Sequence, residues 1–193
     1  MKIVEALHIP GRCRRDKYRS AGVTLTELLV VVAIIAIVAA VSLPTFRDSL
    51  HKARLKRAVE DIRGLIFQAR VEGPIRDSNM SIVIDPAAWC LGFSAVPGCD
   101  CRIETGAGAC VIEVAGEQIT QRVSGAAFPG VAITSSFPGN TTTINRLRGT
   151  LSPAGKITVV SGAWKVDVRV SLYGRLRVCT PEDAGPIAGY GRC

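Results

Sequence analysis

The longest apolar stretch of the chain lies near its N-terminus. Leu28–Val41 is a run of fourteen residues without a polar atom in any side chain, and the wider segment Val23–Leu43 carries Glu27 as its one charge. A helix of 21 residues is about 30 Å long, which is the thickness of the hydrocarbon core of a bilayer. A soluble protein would need a large core to bury a helix that is apolar on every side. The pattern therefore predicts a membrane-spanning helix at residues 23–43.

The helical pattern continues after Pro44 but becomes amphipathic. Apolar residues recur at steps of 4, 3, 4 and 3, namely at Leu55, Val59, Ile62, Ile66 and Ala69. We predict one helix over about residues 24–71, bent near Pro44 and ended by Gly73-Pro74, whose half at residues 44–72 packs on a C-terminal domain. The basic cluster Arg47–Arg57 is interpreted as a solvated face, with lipid headgroups or nucleic acid as alternative contacts.

Residues 73–193 have the pattern of a β-rich domain. Gly, Pro, Asn and Ser separate most of the short β-prone runs. These runs are Ser81–Asp85, Val111–Ala115, Val131–Ser135, Thr141–Asn145, Lys156–Val160, Trp164–Val170 and Arg175–Cys179. We therefore predict an α+β fold in which a long N-terminal helix packs on a C-terminal antiparallel β-sheet.

Composition and charge restrict the class of protein. The 193 residues are 48% hydrophobic and carry a formal net charge of +8, which excludes a disordered chain. His8 and His51 are the only histidines, and neither lies in the last 140 residues. From this we predict that the C-terminal domain has no histidine-based catalysis, and that the chain is not an enzyme and uses no cofactor or metal.

The basic residues before the apolar helix set its expected orientation. Residues 1–22 contain six basic and two acidic side chains, so the positive-inside rule puts them in the cytoplasm. A secretory signal would have a small-residue cleavage site after the apolar stretch, but Ser42-Leu43-Pro44-Thr45-Phe46 matches that pattern poorly. The small residue that could mark a cleavage site is Gly22, which precedes the stretch.

At these residues the sequence resembles the type IV pilins and pseudopilins. Members of this family are cut by a prepilin peptidase after a glycine and carry a glutamate five residues later; Gly22, Val23 and Glu27 match those positions, and Pro44 matches a common proline. Two departures are Val23, where Phe or Met is usual, and a leader longer than most, at residues 1–22. The resemblance implies a single-pass protein of the inner membrane that later reaches the periplasm and a cell-surface pilus, with other pilins and the peptidase as partners.

Glu27 has two interpretations. A carboxylate in a membrane helix costs a few kcal/mol unless it is paired or close to the headgroups. The resemblance implies that Glu27 pairs with the free N-terminal amine of a neighbouring subunit and so sets the register of the filament. The alternative is a glutamate at the interface, in contact with water.

The cysteines favour export to an oxidising compartment. Cys13 lies in the leader, and removal of the leader leaves an even set that permits 15 pairings. The set is Cys90, Cys99, Cys101, Cys110, Cys179 and Cys193. We predict a disulfide between Cys179 and Cys193, with the other four paired among themselves. A zinc site that uses Cys99 and Cys101 is the alternative.

The last third of the chain has an almost unbroken alternation of apolar and polar residues from Trp164 to Val178, within which Gly174 predicts a turn between two strands. In the second strand Arg175 and Arg177 share a face, roughly 6 to 7 Å apart, a spacing at which each guanidinium can contact a phosphate of one nucleic-acid strand. From Thr141 onward there are eight basic and three acidic residues.

Gly174-Arg175-Leu176-Arg177 is similar to the GRxR motif of the GspH/FimT family, and most similar to its FimT-like minor pilins. That resemblance implies binding of double-stranded DNA without sequence preference, for DNA uptake in natural transformation. The residues expected to bind DNA are Gly174, Arg175, Arg177, Arg169, Lys165 and Arg192. Two alternatives remain: a charged edge strand that prevents aggregation, and a minor pilin or type II secretion pseudopilin that primes filament assembly without DNA.

Overall fold

A computed structural model describes residues 22–193 of the chain, without the side chains of residues 41–44. The expected leader, apart from Gly22, and Cys13 within it lie outside the described residues. The chain forms two compact units, Met1–Ser42 and Leu43–Cys193. The bend expected at Pro44 falls beside the boundary between these units and stays a prediction.

Helix α1 comprises Leu25–Ile75. Thr24 caps its N-terminus, because the Glu27 N–H donates to Thr24 Oγ1 at 3.2 Å. Thr24 and Glu27 therefore have the spacing of a capping box, a feature that the sequence analysis did not use. In the first unit, the large apolar side chains of α1 from Leu25 to Val38 are 48–76% exposed.

No single helix among the described residues has both the length and the hydropathy that a membrane span requires. The segments Leu25–Ala40 and Thr45–Ile75 taken together meet these requirements, on length and composition alone.

Helix α1 ends at Ile75, four residues beyond the predicted end at 71, so the prediction that Gly73-Pro74 would stop it is wrong. The Ser78 N–H donates to the Gly73 carbonyl and the Asp77 N–H to the Pro74 carbonyl. With Asp77 at φ 49° this is a Schellman motif. The motif supplies donors to the carbonyls of Gly73 and Pro74 in the last turn of the helix.

The second half of α1 supplies one side of the core of Leu43–Cys193. The five residues predicted at steps of 4 and 3, from Leu55 to Ala69, are all at most 5% exposed. Each large aliphatic side chain among them contributes about 1.5–3 kcal/mol by leaving water. Phe46, nine residues before Leu55 in the same helix, is 62% exposed.

Eleven strands form three sheets in the described chain, and every ladder between them is antiparallel. They are β1 Met80–Asp85, β2 Cys90–Ser94, β3 Val111–Val114, β4 Glu117–Thr120, β5 Arg122–Ser124, β6 Val131–Ser135, β7 Thr141–Ile144, β8 Leu151–Ser152, β9 Gly155–Ser161, β10 Trp164–Val170 and β11 Leu176–Cys179. The sheet orders are β5-β2-β1-β7-β8, β11-β10-β9-β6 and β3-β4. The predicted α+β fold is confirmed, while β2, β4, β5 and β8 were not predicted.

Three disulfides link the six cysteines of the β-rich domain. Cys179 is bonded to Cys193, and the two remaining bonds are Cys90–Cys101 and Cys99–Cys110. The alternative of a zinc site at Cys99 and Cys101 is wrong, because both sulfurs are in disulfides. Residues 22–193 contain no cluster of three or more metal-ligating side chains.

Candidate nucleic-acid interface

The outer face of the sheet β11-β10-β9-β6 is basic. In β10 the side chains of Val166, Val168 and Val170 are buried, whereas Arg169 on the opposite face is exposed. Register places Arg169 between Lys156 of β9 and Arg177 of β11. Three cations therefore form a row across three adjacent strands, which lie about 4.8 Å apart.

One buried carboxylate holds part of this row. Asp167 is completely buried, and it accepts hydrogen bonds from Thr158 Oγ1 at 2.7 Å, Lys156 Nζ at 3.0 Å and Arg169 at 3.2 Å. Burial raises the pKa of Asp167, but the hydrogen bonds from Thr158, Lys156 and Arg169 outweigh it and keep the pKa below its ordinary value of 3.8. Asp167 is therefore ionised at neutral pH and fixes the positions of two of the cations.

Arg175 and Arg177 are cations of this face without a carboxylate partner among the described residues, and Arg177 donates one hydrogen bond, to the carbonyl of Arg192. Both side chains are exposed, and among residues 22–193 no carboxylate lies within 4 Å of either guanidinium. Together with Arg169 they line a groove of about 520 Å³, whose other lining residues are Ser171 and Leu176. We call it the arginine groove. Its lining fits an anion that carries several charges.

The turn before Arg175 requires a glycine. Gly174 has φ 76°, its N–H donates to the Ser171 carbonyl at 2.9 Å, and a Cβ at this position would overlap the carbonyl oxygen of Gly149. Arg70 of α1 donates to the Gly174 carbonyl at 2.9 Å. The glycine therefore acts on the site by placing Arg175, and the helix holds the turn in position.

Two of the residues expected to bind DNA are occupied by contacts within the chain. Lys165 forms an ion pair with Asp183 at 2.6 Å. Arg192 donates to the carbonyls of Pro181 and Ala184, at 2.9 and 2.7 Å, and its own carbonyl accepts a hydrogen bond from Arg177. The Arg192 guanidinium therefore stabilises the C-terminal segment, which the disulfide between Cys179 and Cys193 ties to β11. Arg192 contributes to the site through its carbonyl, which accepts the hydrogen bond from Arg177.

Sequence analysis did not identify Lys156 and Arg70 as parts of this site. Lys156 was placed in a predicted strand, but the pairing of that strand with β10 was not predictable from the alternation alone. Arg70 is 104 residues from Gly174 in the chain. A contact of that separation leaves no signal in a single sequence.

His51 lies on the helix but contacts the β-rich domain, a contact that the positions of the histidines in the sequence did not indicate. Its Nδ1 lies 3.0 Å from Ser161 Oγ, so a histidine of the helix does reach the β-rich domain. Ser161 is 1% exposed, and the carboxylate of Asp48 contacts Lys52 and Trp164 Nε1. The pair lacks both an accessible nucleophile and an acid that orients the imidazole. We interpret it as a contact that joins the helix to the sheet.

Tyr190 provides a test of how the C-terminal segment packs. Its hydroxyl donates to Glu60 Oε1 of α1 at 3.2 Å, and burial together with the charge of Glu60 raises its pKa to about 12. We expect absorbance titration at 295 nm to show Tyr190 ionising about two pH units above an ordinary tyrosine. Because the folded pKa is raised, the stabilisation is present below pH 10 and is lost as the pH rises through 12.

Glu60→Gln is the matched variant for this titration. It removes the charge and retains an acceptor for the Tyr190 hydroxyl, so the Tyr190 transition should move down towards pH 10. A wild-type protein in which Tyr190 titrates like an ordinary tyrosine in water would contradict the packing of the C-terminal segment on α1.

At the other end of the described chain, Gly22 and Val23 are exposed and precede the helix. The peptide bond between them is therefore in a non-helical, accessible segment. Glu27 lies in the first turn of α1 and is exposed.

The N-terminal segment is similar to known proteins. Residues 17–43 match the model of the prokaryotic N-terminal methylation motif. The fimbrial protein EcpB of Eikenella corrodens is 42% identical over 45 residues, which are 23% of this chain and 28% of EcpB. The chain thus matches just over a quarter of the length of this relative. These two matches confirm that the N-terminal segment resembles that of type IV pilins and pseudopilins.

Two solved structures are also similar. The minor pseudopilin EpsH from the type 2 secretion system of Vibrio cholerae has a TM-score of 0.47 and 12% identity, with 66% of this chain and 97% of EpsH covered. The type IV minor pilin FimU of Pseudomonas aeruginosa has a TM-score of 0.46 and 15% identity, with 68% and 88% covered.

Proposed function

We propose that this chain, which carries the N-terminal methylation motif, is a minor subunit of a type IV pilus or pseudopilus and that it binds DNA through the arginine groove. The observation that carries the DNA proposal is the convergence of Arg169, Arg175 and Arg177 on one groove, two of them without an acidic partner in the described chain. The proposal assigns no catalytic activity to the chain. Its biological role would be uptake of DNA in natural transformation.

The charge distribution supports phosphate as the ligand. We define the basic face as Lys156, Lys165, Arg169, Arg175, Arg177 and Arg192 with the acids Asp167 and Asp183; six basic and two acidic groups give it a formal charge of +4. The chain has 24 basic and 16 acidic residues, of which six and two lie in residues 1–22, so residues 23–193 have 18 and 14. The charge of the face therefore equals the net charge of the whole processed chain.

The geometry supports binding that is independent of DNA sequence. Arg175 and Arg177 project from an exposed strand edge, and the described part of the basic face presents no helix that could enter a major groove to read bases. Guanidinium groups bind phosphate oxygens in a bidentate manner, and such contacts position the nucleic acid without reading its sequence. Affinity should therefore depend strongly on salt and weakly on base composition.

The test is a titration of the compact unit Leu43–Cys193 against duplex DNA at increasing salt concentration, with and without substitution of Arg175 and Arg177. This unit includes Asp48, His51 and Lys52, which contact the sheet domain at Trp164 and Ser161. A fragment that begins at residue 51 would lose the contact of Asp48 with Trp164.

A second candidate function is a purely structural subunit that binds only other pilins. Strand β11 is an edge strand, and charged side chains on an edge prevent unwanted pairing with other sheets. The exposed apolar side chains of α1 from Leu25 to Val38 favour burial in a membrane or against neighbouring helices. This part of the proposal holds for both candidates, and it includes anchorage in the inner membrane before transfer to the pilus.

The same proposal predicts how the chain is processed. If a prepilin peptidase cuts after Gly22, the mature protein starts at Val23, and intact-mass measurement should show the loss of residues 1–22. We expect Gly22→Val to retain the leader, because a branched side chain replaces the glycine beside the scissile bond. Ala21→Ser is the matched control and should be processed normally. A mature start after Leu43 would contradict the proposal.

Glu27 is proposed to pair with the N-terminal amine of the neighbouring subunit once that amine is released. The helix presents Glu27 in its first turn, four residues after Val23. This spacing keeps the carboxylate within about one helical turn of the new N-terminus. The hydrogen bond to Thr24 Oγ1 comes from the backbone N–H of Glu27 and does not occupy the carboxylate.

A further inference from the structure

A second groove adjoins the arginine groove. It has a volume of about 600 Å³ and lies between α1 and the segment around Gly174. Its lining residues include Arg63, Phe67, Arg70, Leu151, Arg175 and Leu176. Arg175 and Leu176 line both grooves, so Arg175 stands at the boundary between them. A ligand whose phosphates contact Arg175 and Arg177 therefore has an open apolar groove within reach.

The second groove has an exposed aromatic wall. Phe67 is 66% exposed and is flanked on the same face of α1 by Arg63, four residues before it, and Arg70, three residues after it. Tyr173, the residue before Gly174 in the turn, is 84% exposed. Phe67 is thus the aromatic side chain among the lining residues of this groove, and Tyr173 is not one of them.

The charge of this groove selects the kind of occupant. Arg63, Arg70 and Arg175 line it, and Glu60 is its one acidic residue. Glu60 is already engaged by Arg63 at 3.3 Å and by the Tyr190 hydroxyl at 3.2 Å. The groove is therefore apolar within and positive at its margin. An occupant that complements it has a flat apolar part joined to an anion.

From this juxtaposition of an exposed phenylalanine and arginine-lined grooves, we propose that the second groove holds an unstacked nucleobase of single-stranded DNA. The base stacks on Phe67 while the flanking phosphates contact Arg175 and Arg177. A paired base in a duplex stays stacked within the helix and does not reach the groove. The inference rests on the proposed function, and it adds that DNA with single-stranded ends or frayed segments is the preferred ligand.

The experiment compares two probes against the full chain in detergent micelles. One is a fluorescent single-stranded oligonucleotide of 20 thymidines, and the other is a blunt duplex of 20 base pairs. Stacking of one base on an aromatic side chain contributes about 1–3 kcal/mol. We therefore expect Phe67→Ala to weaken binding of the single strand by roughly 5- to 160-fold and to leave duplex binding within twofold. Phe67→Trp should retain single-strand binding.

Val71→Ala is the matched control. Val71 is an apolar residue of the same helix, one turn further on, 43% exposed and outside the lining of the groove. Its substitution should change neither affinity. Since Phe67 and Val71 are both largely outside the core, thermal unfolding should show that each variant is folded.

The outcomes separate this inference from the proposed function. If Phe67→Ala leaves single-strand binding unchanged, or weakens both probes equally, the base site is wrong while DNA binding by Arg175 and Arg177 stands. If substitution of both arginines changes neither affinity, the proposed function is wrong and the base site with it. If Phe67→Ala impairs only association with other pilin subunits, the groove is an assembly contact and the inference fails.

Discussion

Replacing Arg175 and Arg177 by alanine is expected to lower the affinity of the unit Leu43–Cys193 for duplex DNA by roughly 60-fold at 0.1 M salt. Each phosphate contact contributes about −0.9 to the slope of log K against log salt concentration, so two lost contacts make the slope shallower by about 1.8. Between 1 M and 0.1 M salt this change lowers log K by about 1.8, which is the roughly 60-fold loss of affinity. The measurement is fluorescence anisotropy with a labelled duplex between about 0.05 and 0.3 M salt.

The substitutions should leave the fold intact, because both side chains are exposed and make no ion pair with another described residue. The matched control is Arg47→Ala with Arg102→Ala. It removes the same total charge, from α1 and from the loop between β2 and β3, where Arg102 pairs with Asp100. An equal loss of affinity in the control would mean that total charge, not the arginine groove, carries the binding. An unchanged affinity in the Arg175 and Arg177 variant would exclude the groove.

The second large effect is expected at Asp167. Asp167→Asn should lower the free energy of unfolding by about 2–3 kcal/mol, because it removes one partner of a buried, hydrogen-bonded charge cluster. Lys156 and Arg169 are 43% and 45% exposed, so solvent screens them and the loss stays below that of a fully buried pair. Urea unfolding of the unit Leu43–Cys193 measures this difference.

The same variant should bind DNA more tightly. It removes a negative charge from the basic face and releases Lys156 and Arg169 from their shared acceptor, so we expect a roughly two- to fivefold gain in affinity. A variant that is less stable but binds better separates electrostatic attraction from an effect of folding. Reduced binding together with reduced stability would indicate that Asp167 mainly positions the cations.

Asp183→Asn is the matched control for both measurements. It makes the same charge change on the basic face, but the Asp183 side chain is 66% exposed in its pair with Lys165. Exposed ion pairs contribute little to stability, so the unfolding free energy should change little while the DNA affinity rises comparably. Equal stability losses at Asp167 and Asp183 would contradict the role of burial.

The stability of the Asp167 cluster also depends on pH. The folded pKa lies below 3.8, so the unfolded chain takes up the proton first and the contribution of the carboxylate is complete above about pH 5. As the pH falls through the folded pKa that contribution is lost. The difference in stability between the wild type and Asp167→Asn should therefore shrink below about pH 4.

Strong local patterns allowed much of the fold to be predicted. The apolar stripe from Leu55 to Ala69 is buried, the strand Trp164–Val170 has its predicted bounds, and Gly174 forms a turn. In each case the determinant is periodicity or a positive φ, and both are properties of a few neighbouring residues.

The strands that were not predicted lack such a pattern. All five residues of β2, Cys90–Ser94, are buried, so no alternation marks it, and its Gly92 lies so close to Cys110 that a Cβ would overlap the sulfur. Strand β4, Glu117–Thr120, has mostly exposed residues and is stabilised by pairing with β3. Each of these strands pairs with the strand before it in the chain, β2 with β1 and β4 with β3, but neither has the apolar and polar alternation by which a half-buried strand is predicted.

By itself the sequence determined the apolar N-terminal helix with Gly22 and Glu27 beside it, the α+β class and the alternation that puts Arg175 and Arg177 on one side of a strand. Only the tertiary structure decided which cations are available. Lys165 is held by Asp183, and the Arg192 guanidinium is held by backbone carbonyls. Arg169 joins Arg175 and Arg177, which have no carboxylate partner in the described chain, in one groove. The physical reason is the distance along the chain over which each effect is determined. Periodicity is a property of a few neighbouring residues, whereas an ion pair forms only where the fold brings two charged groups of different strands or loops within about 4 Å.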